Sequence, residues 1–136
     1  LTSTLAAMRA KHGYALLWDA HSIPSVVPRL FDGKLPALNI GTNSGKSCAA
    51  FIETAVLEAA SASPYSTVLN DRFKGGHITR HYGNPDNHVH AVQLEIAQRT
   101  YMDEATTVFD AEKAGQLRAT LRQLLEAVLS AARAAY

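Results

Sequence analysis

Ala15-Leu16-Leu17-Trp18-Asp19-Ala20-His21-Ser22 is the stretch on which the fold and the chemistry of this chain depend. It begins as an apolar run, the pattern of a buried strand in an α/β sheet, and it ends in an acid, an imidazole and a hydroxyl. Ligand sites in such sheets gather just beyond the carboxyl ends of strands, so we expect His21 to point into a crevice there. Asp19 shares the face of His21 on an extended strand and is expected to orient its ring. The alternative is a strand-end histidine that makes an ordinary hydrogen bond.

The composition predicts one globular domain. Of the 136 residues, 47% are hydrophobic and 18% are charged, and the formal net charge is +1, so no basic field suggests a nucleic-acid partner. Cys48 is the only cysteine, which excludes an internal disulfide and fits a reducing cytoplasm. No apolar run approaches a membrane span. Because the chain begins at Leu1, inside a helical pattern, we expect it to be part of a longer polypeptide.

Periodicity predicts alternating helices and strands around this stretch. Helices are expected at Thr2–Lys11, Cys48–Ala60 and Ala111–Ala134, the last capped by Asp110. Strands are expected at Tyr14–Trp18, Ala37–Ile40, Ser66–Asn70 and His90–Ala97, with a long loop over 23–36. Cys48 is interpreted as a small core residue rather than a nucleophile. The order predicts an α/β protein with a mixed sheet flanked by helices.

The segment Gly41–Ser47 has a composition that suggests a phosphate-binding loop. That motif needs four residues between its first glycine and the Gly-Lys pair, and here there are three, so the spacing argues against this hypothesis. The alternative is a strand-to-helix turn in which Ser44 or Ser47 caps the following helix.

The segment from Asp71 to Asn87 is the most polar and glycine-rich part of the chain. Its cations beside adjacent glycines could close around an anionic ligand, or they could be the charges of a solvated loop. His77 and His81 have a spacing that brings two metal ligands together only on a helix. Gly75 and Gly76 argue against a helix here, so no metal pair is expected.

Glu95 is an acid in an otherwise apolar strand. With Val92, Leu94 and Ile96 on one face, Gln93 and Glu95 point together to the other. A carboxylate in such surroundings tends to have a raised pKa and is a candidate general base. The alternative is an edge strand on which Glu95 faces water.

Six motifs follow one another at residues 19–23, 28–33, 39–43, 72–76, 78–83 and 93–102. Taken together and in this order, they resemble the N-formylglutamate amidohydrolase (N-formylglutamate deformylase) family. The family is distantly similar to zinc carboxypeptidases and succinylglutamate desuccinylases. The resemblance implies a zinc-carboxypeptidase-like α/β fold with helices on both faces of the sheet. It also implies metal-assisted hydrolysis of N-formyl-L-glutamate, a small-molecule substrate, to formate and L-glutamate, in histidine breakdown.

The resemblance also implies roles for particular residues. His21 would be a ligand of a divalent metal, zinc, and Glu95 would activate water and pass its proton to the leaving amine. Arg80 and Arg72, with Asn43, would bind the glutamate part of the substrate, because an arginine fork suits a carboxylate.

The resemblance implies that residues 1–136 are the C-terminal portion of a single catalytic domain. A zinc site of this type takes a histidine and an acid from a segment upstream of His21, so the chain is expected to be incomplete at its N-terminus. We therefore expect the isolated chain to bind zinc weakly, to have little activity and to self-associate. The rival hypotheses are a non-catalytic fragment, which folds only with a partner or as a self-associated pair, and the phosphate-binding module.

Overall fold

The computed structural model describes all 136 residues and contains four helices and six strands. In chain order they are α1 Thr2–His12, β1 Ala15–Ile23, β2 Leu38–Gly41, α2 Ala50–Ser61, β3 Thr67–Leu69, α3 His77–Tyr82, β4 Val89–Ala97, β5 Met102–Asp103, β6 Val108–Phe109 and α4 Ala111–Ala135. Short 3₁₀ turns lie at Pro85–Asn87 and Gln98–Thr100. Even α4, the longest helix, lacks the apolar character that crossing a membrane would require.

The main sheet is mixed and has the strand order β1-β4-β2-β3. β4 pairs in parallel with β1 over all nine residues of both strands, and it pairs antiparallel with β2. β2 in turn pairs in parallel with β3. β4 is therefore central, and the outer edge of β1 has no neighbouring strand. β5 and β6 form a separate antiparallel hairpin.

One face of the sheet forms the hydrophobic core with α2 and α4. The buried cluster joins alternate residues of β2 and β4 to the apolar sides of the two helices: Leu38, Ile40, Val92, Leu94, Ile96, Ile52, Val56, Leu117, Leu124 and Val128. α4 begins as predicted because the Asp110 carboxylate accepts hydrogen bonds from the backbone N–H groups of Glu112 and Lys113.

The opposite face carries α3, whose buried Thr79 reaches the side chain of Asp19 on β1. α1 lies beside α3, and Leu5 and Tyr82 from the two helices line one surface cleft. Helices therefore flank both faces, and the predicted mixed α/β class is confirmed.

Two of the predicted elements differ from the structure by more than one residue at an end. The first strand does not end at Trp18 but continues to Ile23, because β4 supplies a pairing partner for every residue up to that point. His21 therefore lies within the strand and not beyond it. The second helix starts at Ala50, so Cys48 precedes it, although Cys48 is buried as predicted.

Neither predicted serine cap of α2 forms, and α3 was missed. Ser47 donates its hydroxyl to the Ala91 carbonyl (2.8 Å), so it joins the sheet and does not cap the helix. α3 forms although Gly75 and Gly76 come just before it, because Gly76 is the N-cap residue and neither glycine is inside the helix. The prediction that His77 and His81 lie outside a helix was therefore wrong.

Candidate active site

A row of three polar side chains crosses the face of the sheet that does not form the core. In the register of the strands, His21 on β1 is paired with Glu95 on β4, and Glu95 is paired with Asn39 on β2. Directly paired residues project to the same face of a sheet. The mixed sheet thus brings together an imidazole, a carboxyl group and an amide from three separate parts of the sequence.

Asp19 fixes the orientation of the His21 ring. Its Oδ1 lies 2.8 Å from His21 Nε2, and its Oδ2 receives a longer hydrogen bond from Thr79 Oγ1 (3.4 Å). The Asp19 side chain is 9% exposed, whereas that of His21 is 47% exposed. Because a carboxylate oxygen can only accept, the ring hydrogen in this contact is on Nε2, and the neutral imidazole keeps a lone pair on Nδ1. The predicted orienting contact between Asp19 and His21 is present.

Glu95 is buried in the central strand. It is 7% exposed, so the alternative of an edge strand with Glu95 facing water was wrong. Burial raises the pKa of Glu95 above its ordinary value; the charge of His21 opposes this rise and that of Asp19 adds to it. A carboxyl group whose pKa moves toward neutrality is better suited to exchange protons during a reaction.

Asn39 was not predicted individually as a site residue. Its Nδ2 donates to the backbone carbonyls of Pro36 (2.9 Å) and Glu95 (3.2 Å), while its Oδ1 is the one buried side-chain oxygen with no hydrogen-bond partner. An unpaired buried acceptor is costly, and such atoms concentrate at functional positions. The signal in the sequence was an asparagine inside an apolar strand, where this residue type is uncommon.

The glycine-rich segment 73–76 passes directly over the end of β2. A Cβ atom on Gly41 would lie 2.5 Å from the Gly75 nitrogen, so only glycine permits this approach. The Gly76 N–H donates to the Gln93 side chain (2.5 Å), and Gln93 precedes Glu95 on the same face of β4. The predicted polar segment is therefore attached to the candidate site by its backbone.

The three predicted substrate-binding residues lie in different environments. Arg80, on α3, is exposed and donates from Nη1 to the Gly75 carbonyl (2.7 Å), which leaves its other N–H groups free. Asn43 adopts a left-handed conformation (φ 52°), and its N–H donates to the Lys74 carbonyl (2.6 Å). Arg72 lies instead against the loop between β1 and β2, 5.4 Å above the Phe31 ring and 3.3 Å from the Lys34 carbonyl.

The segment Gly41–Ser47 is a compact turn that uses its own backbone donors. Side chains of Asn70 and Thr42 accept the N–H groups of residues 42, 44 and 45. The N–H groups of residues 43, 46 and 47 donate to backbone carbonyls. No backbone donor from 42 to 47 remains to bind a phosphate, which argues against the phosphate-binding hypothesis.

Among the residues of this candidate site, His21 is the one whose contacts fit a metal ligand. His21 resembles a metal-binding histidine, because one ring nitrogen is held by a buried carboxylate and the other is free to coordinate. No group of three or more His, Cys, Asp or Glu side chains in this chain is arranged to hold a metal by itself.

Comparison with known proteins gives a consistent family assignment. The sequence profile of N-formylglutamate amidohydrolases matches residues 1–102. Proteins named N-formylglutamate deformylase from Pseudomonas aeruginosa and Pseudomonas putida are 58% and 54% identical over 139 and 132 aligned positions. These alignments cover 100% and 96% of this chain but 52% and 49% of the relatives, so the chain spans about half their length.

A solved structure has the same fold. The crystal structure of N-formylglutamate amidohydrolase from Ralstonia eutropha JMP134 matches with a TM-score of 0.84 and 22% identity, covering 98% of this chain and 51% of that one. The predicted family is confirmed by the profile match over three quarters of the sequence: the chain belongs to the N-formylglutamate amidohydrolase family.

Proposed function

We propose that this chain supplies part of the active site of an N-formylglutamate deformylase, which hydrolyses N-formyl-L-glutamate to formate and L-glutamate. The names of the Pseudomonas relatives support this reaction. The observation that carries the proposal is the row of His21 and Glu95 on one face of the sheet, with His21 oriented by buried Asp19. Metal-assisted hydrolysis uses this combination of an oriented imidazole beside a protected carboxyl group.

His21 would coordinate a divalent metal, zinc, through its free Nδ1, while Asp19 holds Nε2–H. Three protein ligands are usual in such a site, so the other two would come from the half of the family fold that this chain does not span. When bound, zinc lowers the pKa of water and polarises a carbonyl oxygen.

Glu95 would transfer the proton that hydrolysis must move. Its carboxylate takes a proton from the attacking water as the water oxygen bonds to the formyl carbon. It then delivers that proton to the glutamate nitrogen as the C–N bond breaks, which gives formate and the amine. Burial between β1 and β2 keeps this carboxyl group away from bulk water, so it exchanges protons with the substrate rather than with solvent.

The substrate carboxylates would bind beside this row. Arg80 has unused guanidinium donors, and its hydrogen bond to the Gly75 carbonyl joins it to the segment 73–76. The Gly76 N–H of that segment donates to Gln93 on β4. The other contacts to the substrate carboxylates would come from Asn43 and Arg72. The Asn43 N–H donates to the Lys74 carbonyl, and Arg72 lies next to the loop between β1 and β2. The reaction would take place in the cytoplasm, as the closing step of one route of histidine breakdown.

The test is formate release measured with and without the half of the family fold that this chain does not span. The chain is assayed alone and after mixing with the part of the Pseudomonas aeruginosa relative to which it does not align, each with added zinc. We expect formate only from the mixture. Glu95→Gln should lower turnover about a hundredfold or more, whereas Glu58→Gln, at an exposed position on α2, should leave it unchanged. Full turnover by the Glu95 variant in the mixture would refute the proposed role.

The isolated chain would bind zinc weakly at His21 and would self-associate. Its β1 edge is unpaired, and Leu125 and Leu129 of α4, which line a cavity together with Trp18 of β1, are each 40% exposed. Zinc calorimetry and sedimentation velocity test these two statements. A monomer that binds zinc tightly at His21 and releases formate by itself would show that no further ligands are needed.

A further inference from the structure

Two histidines on α3 take no part in the proposed reaction. His77 and His81 are four residues apart on this helix, and both are exposed. Their ring centroids are 5.1 Å apart, and the ring planes differ by 14°. At 3.6 residues per turn, they lie on the opposite side of the helix from Thr79, which faces Asp19. The pair is therefore separate from the row that contains His21.

The one-turn spacing of the two histidines suits simultaneous coordination of one transition metal once the nearly parallel, stacked rings rotate so that their planes meet at the ion. Two imidazoles on a tetrahedral zinc ion, each with its nitrogen about 2.0–2.1 Å from the metal, have ring centres about 5 Å apart. Imidazole is also a good ligand for Cu²⁺ and Ni²⁺. Neither ring of the pair makes a side-chain hydrogen bond within the protein, so coordination would replace only their aromatic contacts with each other and with Tyr82.

We propose that His77 and His81 form an accessory two-histidine site for a transition-metal ion, separate from the His21 centre. A bound ion would join two successive turns of α3 and stabilise this helix. The effect would matter because α3 has only six residues, a length at which helices are marginal without help. It would extend to the candidate active site, since α3 carries Thr79 and Arg80 and begins at Gly76, which contacts Gln93.

The occupancy test uses calorimetry of the metal-free chain with Zn²⁺ and with Cu²⁺ alone. We expect His77→Ala and His81→Ala each to weaken binding at this site at least tenfold. Binding should be retained in His21→Ala, which separates the accessory site from the proposed catalytic ligand. His12→Ala is the matched control, because His12 is exposed at the end of α1 and has no histidine one turn away.

The effect on the helix is measured by hydrogen exchange of the wild-type chain, which needs no variant. The amides of Arg80 and Gly83 donate within this region, to the carbonyls of Gly76 and Thr79. At a free metal concentration ten times the dissociation constant, their exchange should slow about tenfold, with no change in α4. Unchanged calorimetry in both α3 variants, or unchanged exchange of these amides at saturating metal, would overturn the proposal.

Discussion

Gly41→Ala offers a direct test of how the glycine-rich segment is packed on the sheet. The new Cβ atom would lie 2.5 Å from the Gly75 nitrogen, 2.8 Å from the Lys74 carbonyl carbon and 2.9 Å from the Phe73 oxygen. All three are backbone atoms, so no side chain can rotate away. The segment must move, although hydrogen bonds from Asn43 N–H and from Gly76 N–H hold it in place.

The opposing contributions can be compared. Overpacking of this kind costs about 1–3 kcal/mol, and each backbone hydrogen bond that is weakened costs about 1 kcal/mol. Alanine lowers the conformational entropy of the unfolded chain, which stabilises the folded state by only about 0.4–1 kcal/mol. We therefore expect a net destabilisation of about 1–3 kcal/mol, which for a domain of this size lowers Tm by roughly 3–9 °C.

The assay is urea unfolding of matched alanine variants. Gly115→Ala is the control, because Gly115 lies in α4 with nothing within 4 Å of its Cβ position. There alanine should stabilise the protein by about 0.5–1 kcal/mol through helix propensity. The two changes are chemically identical and should have opposite signs. If Gly41→Ala is neutral or stabilising, the segment 73–76 does not lie against β2 as described.

Three further predictions concern charge. Because the pKa of Glu95 is raised, the fold disfavours its ionised form, so the free energy of unfolding should fall as pH rises above about 4.5. Glu95→Gln should remove this loss when urea unfolding is followed from about pH 4.5 to pH 7, and an unchanged pH dependence in the variant would contradict the prediction. Burial and the charge of His88 lower the pKa of His90, and His90 Nδ1 accepts the Ala49 N–H. Because the fold disfavours the protonated imidazole, the free energy of unfolding should fall as pH drops below about 6.5. His90→Gln should flatten that slope; an equally steep slope in the variant would place its origin elsewhere. In the mixture of this chain with the unaligned part of the Pseudomonas aeruginosa relative, Arg80→Lys should raise KM for formylglutamate about tenfold or more, because lysine cannot form a bidentate contact. An unchanged KM would show that other residues recognise the substrate carboxylates.

The sequence predicted the elements whose signals are local. α4 was placed to within one residue, because its apolar period is strong and Asp110 caps it. The shared face of Asp19 and His21 was also predictable, since alternation along a strand depends on the backbone alone.

The sequence did not predict features that depend on distant parts of the chain. The central position of β4 and the extension of β1 to Ile23 follow from pairing between segments that are far apart in sequence. Asn39 became a site residue only because β2 pairs antiparallel with β4. The six-residue α3 has too few residues to show a helical period, and the glycines before it favoured a loop.

The parallel pairing of β1 with β4 also determines when the candidate site forms during folding. His21 and Glu95 become neighbours only after the whole segment between the two strands has been closed into a loop, a step that costs chain entropy before any contact compensates for it. Helices such as α4 can form earlier from local contacts. We therefore expect the site to assemble late, together with the central pairing of the sheet. A spectroscopic probe placed beside Glu95 would then follow the final cooperative step of folding.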